Sequence, residues 1–172
     1  GLGTVPNDGT GDALRTAFDK TNDNFDELYF SGALVKKAAD QTAANYTTDT
    51  AVTWDAEEYD TGGWHDNVTN SERLTVPAGV TRVRVVGQVR LTSMTADEWV
   101  QLYIRKNGSA AYAGIPYHMA EIGTSTPALQ VVTPPLVVVA GDYFDLVLAV
   151  EADTSITLQA SRSWFSIERL PG

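Results

Sequence analysis

The feature that most constrains this chain is a period-two alternation of apolar and polar residues that recurs after residue 80. In Arg82 to Leu91, Val83, Val85, Val89 and Leu91 share one face with Gly87, and Arg82, Arg84, Gln88 and Arg90 share the other. Successive side chains of an extended strand point to opposite faces, so this pattern predicts a strand buried on one side. Val100, Leu102 and Ile104 alternate likewise with Trp99, Gln101, Tyr103 and Arg105. Phe144, Leu146, Leu148 and Val150 alternate with Tyr143, Asp145, Val147 and Glu151, and a last strand runs from Trp164 to Leu170 with Phe165 and Ile167 together.

Between these strands lie turn formers rather than helical patterns. Lys106-Asn107-Gly108-Ser109 is a hairpin turn by its Asn-Gly pair. Further strands are expected at Val52 to Tyr59, Arg73 to Val76, Tyr112 to Ile122, Ala128 to Val132 and Ile156 to Gln159. Many short strands with no helix between them predict a mainly β, antiparallel sandwich, and a jelly roll fits the number of strands. Pro77, Pro116, Pro134 and Pro135 then belong at strand ends, edges or loops, because proline donates nothing to a central ladder.

The first residues read differently. Pro6-Asn7-Asp8-Gly9-Thr10-Gly11 is an irregular lead-in, Asp12 is an N-cap, and a short N-terminal α-helix follows that Gly32 stops. Leu14, Phe18, Thr21, Phe25 and Leu28 are spaced four, three, four and three apart, a short heptad seam. A helix this short is marginal alone and needs a neighbour. The seam packs either against other copies of the chain or against the same chain's β domain. The expected organisation is a lead-in and helix over 1–35, a small, polar linker over 36–50, and a β domain over 51–172.

The formal net charge of −10 argues against nucleic acid as a partner, since that affinity comes from Lys and Arg displacing counterions. The absence of cysteine excludes disulfides and thiol chemistry. No apolar run approaches the ~20 residues a membrane-spanning helix needs, so no membrane insertion is expected.

Two stretches resemble known families. Tyr59 to Asp66 with its Gly-Gly-Trp loop, Leu74-Thr75-Val76-Pro77-Ala78-Gly79, Leu102 to Asn107, Val139-Ala140-Gly141-Asp142 and Trp164-Phe165-Ser166-Ile167 are similar in order and spacing to the C1q/TNF-like trimeric jelly roll. The match covers roughly residues 50 to 170, although Val80 and Thr81 follow Gly79 where that family usually has Gly-x-Tyr. The run Gly3-Thr4-Val5-Pro6-Asn7-Asp8-Gly9-Thr10-Gly11-Asp12, continuing through Arg15, Phe18, Asn24, Phe25 and Tyr29, resembles a segment near the start of tailed-bacteriophage fibre, spike and structural proteins. Together these resemblances imply a homotrimer on the phage particle surface, its helix attached to another virion protein and its jelly roll pointing outward, on tail or head.

Little in the chain supports catalysis. Asp60-Thr61-Gly62 has the letters of an aspartic-protease triplet, but Glu57-Glu58-Tyr59 precedes it where an apolar strand is required. With His65 and His118 the only histidines, there is little material for a Ser-His-Asp triad or a zinc site. Asp55, Glu57, Glu58, Asp60 and Asp66 lack EF-hand spacing, so no metal and no cofactor is expected. Aromatic residues are the better candidates for ligand contact, because sugars stack on their faces. Trp64, Tyr112 and Tyr117 stand in loop-like contexts with His65 beside Trp64, which makes these four the candidate contacts for a host cell-surface glycan. The two tyrosines equally suit a trimer axis, and Trp99, Trp164 and Phe165 read as core or interface. The expected protein is a non-enzymatic fibre or spike subunit that attaches to a host surface polysaccharide, the alternative being a capsid decoration or connector with no host ligand.

Overall fold

The computed structural model describes Thr21 and residues 30–43, 49–92, 94, 98–109, 117–122, 127–151 and 156–171, of which 42–43, 117–122 and 151 by backbone alone. The chain divides into two units, Gly1–Phe30 and Ser31–Gly172. In the first, Thr21 is helical and exposed. The other seam positions, Leu14, Phe18, Phe25 and Leu28, lie outside the described residues.

The second unit is built from antiparallel strands: β1 (Gly32–Lys36), β2 (Gln41–Ala43), β3 (Thr50–Ala51), β4 (Ala56–Asp60), β5 (Arg73–Thr75), β6 (Arg82–Thr92), β7 (Glu98–Lys106), β8 (Tyr117–Ile122), β9 (Ala128–Val132), β10 (Leu136–Val137), β11 (Tyr143–Glu151), β12 (Ile156–Leu158) and β13 (Trp164–Arg169). A 3-10 turn, Ala160–Arg162, precedes β13. Among the described residues one sheet follows the path β2-β12-β6-β13-β1-β4, with β9 and β10 also on β6. The other follows β3-β11-β7-β8, with β5 also on β11.

The inward faces are those the alternation predicts. Val83, Val85, Val89 and Leu91 of β6 and Phe165 and Ile167 of β13 are buried together with Val100, Leu102 and Ile104 of β7 and Phe144, Leu146, Leu148 and Val150 of β11. Each such side chain removed from water stabilises the fold by roughly 1.5–3 kcal/mol before entropy is counted. Trp54 stacks on Phe165 within this layer, ring centroids 6.0 Å apart. Asn107 (φ 53°) and Gly108 (φ 75°) form the tight turn after β7, closed by Ser109 N–H donating to Lys106 O at 3.0 Å.

Three expectations need correction. The span 36–50 is not simply a linker: it contains β2, which pairs with β12, and the first residue of β3, which pairs with β11. Gly32 opens β1 opposite Glu168. These partners lie far away in the chain, as Leu148 does from Thr50 and Glu168 from Gly32, so the local composition carries no sign of them. The strand expected over Val52 to Tyr59 begins only at Ala56. Val52 and Trp54 are buried in an irregular segment, their N–H groups donating to Leu146 O and Ser71 O. Finally, Tyr103, Asp145 and Val147, predicted on an outward face, are buried. Arg105 holds the Asp145 carboxylate in a two-pronged ion pair (Nε–Oδ1 3.0 Å, terminal N–Oδ2 2.6 Å), and β3 sets Ala51 opposite Val147.

Candidate functional site

The loop from Thr61 to Glu72 carries two of the four aromatic and histidine candidates. Both oxygens of Asp60, the last residue of β4, are taken up by backbone donors: Oδ1 accepts from Gly63 and Trp64 N–H and Oδ2 from His65 N–H, each at 3.0 Å. Asp60 is therefore a cap that turns the chain. This turn drives Trp64 inward. Its indole is 1% exposed and belongs to the core, which corrects its reading as a ligand platform. A large apolar ring beside a strand end gains more from burial than from standing in water.

His65 is also turned inward, with a fully buried side chain. Its Nε2 donates to Ser71 O at 3.1 Å, and its Nδ1 lies 3.0 Å from Glu57 Oε1, which also accepts from Asn67 Nδ2 at 2.9 Å. The ring clamps the two ends of the loop. At the tip, Asp66 Oδ1 accepts from Val68 and Thr69 N–H at 2.8 and 3.0 Å, and these bonds hold its carboxyl below the usual range. Tyr112 lies outside the described residues. Tyr117 is described by backbone alone, as the first residue of β8, opposite Tyr103.

Two surface features have weaker signals in the sequence. Val132, Val137 and Val139 are 46%, 66% and 66% exposed, an apolar strip along β9, β10 and the following turn. Val86 of β6, part-exposed, lies opposite Val132, and the exposed Arg82 lies opposite Val137. The run Val137-Val138-Val139 after Pro134-Pro135 was the strip's only trace. The second feature is an open groove of about 550 Å³ at the end of β1 and the start of β13, lined by residues including Leu34, Lys36, Asp40, Ser161, Ser163 and Trp164. Alternation along β13 buries Phe165 and Ile167 and leaves Trp164 part-exposed on the opposite face.

Two antiparallel sheets packed face to face make a jelly-roll sandwich. Crystal structures of murine APRIL share the fold: the form at pH 5.0 superposes with a TM-score of 0.60 at 10% identity, covering 83% of this chain and 100% of that chain. The form at pH 8.5 gives 0.59 at 11% identity, with the same coverage. The chain belongs to the family described as bacteriophage T4 gp9/10-like protein, N-terminal, which matches it over residues 1–170. No curated protein matches it.

Proposed function

We propose that this protein is a non-enzymatic structural subunit of the phage particle, a homotrimeric fibre or spike whose jelly roll is displayed for attachment to a host-surface polysaccharide. Its N-terminal segment, with the seam at Leu14, Phe18, Thr21, Phe25 and Leu28, attaches it to another virion protein. Family membership supports the particle assignment. The observation that carries the trimer is the strip Val132, Val137 and Val139, with part-exposed Val86 beside Val132, since a run of exposed apolar side chains marks a surface that associates. Three copies raise avidity without any new contact, because the second and third sites bind at high effective concentration.

The foundation is tested by mass in solution. The full chain at micromolar concentration is expected at three times the monomer mass, and Val137→Asp is expected to return folded monomers that keep the wild type's β-sheet circular-dichroism spectrum while melting at a lower temperature, because the trimer no longer stabilises them. A wild-type monomer at that concentration removes the trimer. The burial of Trp64 and His65 favours a second reading, a capsid decoration or connector with no host ligand. Binding of the full chain to susceptible cells separates the two, and no binding to any susceptible host leaves the purely structural role.

A further inference from the structure

The groove beside Trp164 is preformed. One wall is the segment 37–40 that leaves β1, and the other is the 3-10 turn with the first residues of β13. Asp40 Oδ1 accepts from Ala160 N–H at 2.8 Å and ties the walls together. Beneath them, Gln88 Nε2 donates to Arg162 O and Arg90 N–H donates to Ser163 Oγ, both at 3.0 Å. A site held in this way loses little conformational entropy when it is occupied.

Its chemistry matches one class of ligand. Trp164 offers a large, part-exposed ring, the surface on which the C–H face of a pyranose stacks. Around it stand hydrogen-bonding groups that suit hydroxyls. Asp40 Oδ2 has no partner among the described residues, Ser161 is exposed, and Ser163 still has a hydroxyl proton to give after accepting from Arg90. Both lysines of the groove are already engaged, Lys36 by Glu58 and Lys37 by Asp55 at 3.6 Å and Thr53 O at 2.9 Å. Asp40 repels an anionic ligand, and neither lysine that lines the groove is left unpaired to offset it. The groove lies on the β1 and β13 side of β6, whereas the valine strip lies on the β9 and β10 side.

We propose that this groove is a subsite for a neutral saccharide, with Trp164 as the stacking platform and Asp40 and Ser161 as hydroxyl partners. It deepens the attachment reading, on which it rests for the source of the sugar, and moves the contact from the buried Trp64 to Trp164.

The test uses the full chain on an array of neutral bacterial polysaccharides and of di- and trisaccharides of glucose, galactose, rhamnose and N-acetylglucosamine, with whole-cell binding, melting temperature and mass measured in parallel. The expected result is binding that falls about ten-fold or more in Trp164→Ala and in Asp40→Ala and survives in Trp164→Phe, at unchanged mass. Wild-type binding that both alanine variants retain overturns the groove and leaves attachment standing. Cell binding without saccharide binding overturns the sugar and keeps attachment, and the absence of both removes the two together. Loss of the trimer in Trp164→Ala, with no saccharide bound by the wild type, makes the groove an interface between copies and also overturns the proposal. Should Trp164→Ala fail to fold, Asp40→Ala and Ser161→Ala decide the matter.

Discussion

A Cβ atom added to Gly87 would stand 2.5 Å from Leu146 Cδ1 and 2.8 Å from Leu146 Cδ2, so β6 and β11 meet across the core with no room for a side chain on β6. Both residues are buried, so Leu146 must shift within the core to admit a methyl group at residue 87. Gly87→Ala is expected to destabilise the protein by about 1–3 kcal/mol through overpacking. Leu146→Val in the same chain relieves the clash, so denaturant melts should show a favourable coupling of about 0.5–3 kcal/mol between the two changes. Strict additivity would reject the contact.

Asp142 latches the turn after β7 to the start of β11. Its Oδ1 accepts from Asn107 Nδ2 at 2.8 Å, and its Oδ2 accepts from Val139 N–H at 2.9 Å and pairs with Lys106 Nζ at 2.8 Å. Burial alone would raise its pKa, but the donors from Lys106, Asn107 and Val139 together outweigh burial and lower it. A folded-state pKa below the unfolded one gives stability that is present above the unfolded carboxyl pKa, about 3.9, and lost as pH falls through the folded value. Asp142→Ala should cost about 1–3 kcal/mol at neutral pH and flatten the acid limb of a stability-pH curve. An acid limb identical to the wild type's would discount the latch.

Tyr103 titrates late. Burial first, and then its hydrogen bond with Asp49, push the phenol above its ordinary value, and burial raises Tyr59 as well. A raised folded-state pKa gives stability that is full below the unfolded tyrosine pKa, about 10, and is lost as pH rises through the folded value. In an ultraviolet absorbance titration, part of the tyrosine signal should appear only with alkaline unfolding, and Tyr103→Phe should shrink that late fraction. Ionisation of every tyrosine at the ordinary phenol pKa, about 10, in the still-folded protein would contradict it.

Trp64 and His65 are fold residues, and their variants should behave as such. Trp64→Ala should lose about 3–5 kcal/mol, the range for deleting a buried aromatic ring. His65→Ala should lose about 1–3 kcal/mol by leaving Glu57 and Ser71 O without their buried partner, and should open the 61–72 loop to protease. An unchanged melting temperature in both variants would return these residues to the surface.

Much of the architecture was legible in the chain itself. The alternation in β6, β7, β11 and β13 named the buried faces residue by residue, because a half-buried strand has a period of two wherever it lies. Asn107-Gly108 announced its turn because few other pairs accept two positive φ angles. What the tertiary structure alone decided was which outward positions stay in water. Val147 and Tyr103 alternate like surface residues yet are buried, because Ala51 of β3 pairs opposite Val147 and Asp49 just before it bonds Tyr103. Trp64 stands among glycines and polar residues like a loop residue, yet the Asp60 cap folds it into the core, while Trp164, one residue from the buried Phe165, is left at a groove. Those outcomes depend on strands far apart in sequence meeting in space, and no local pattern of residue types encodes such a meeting.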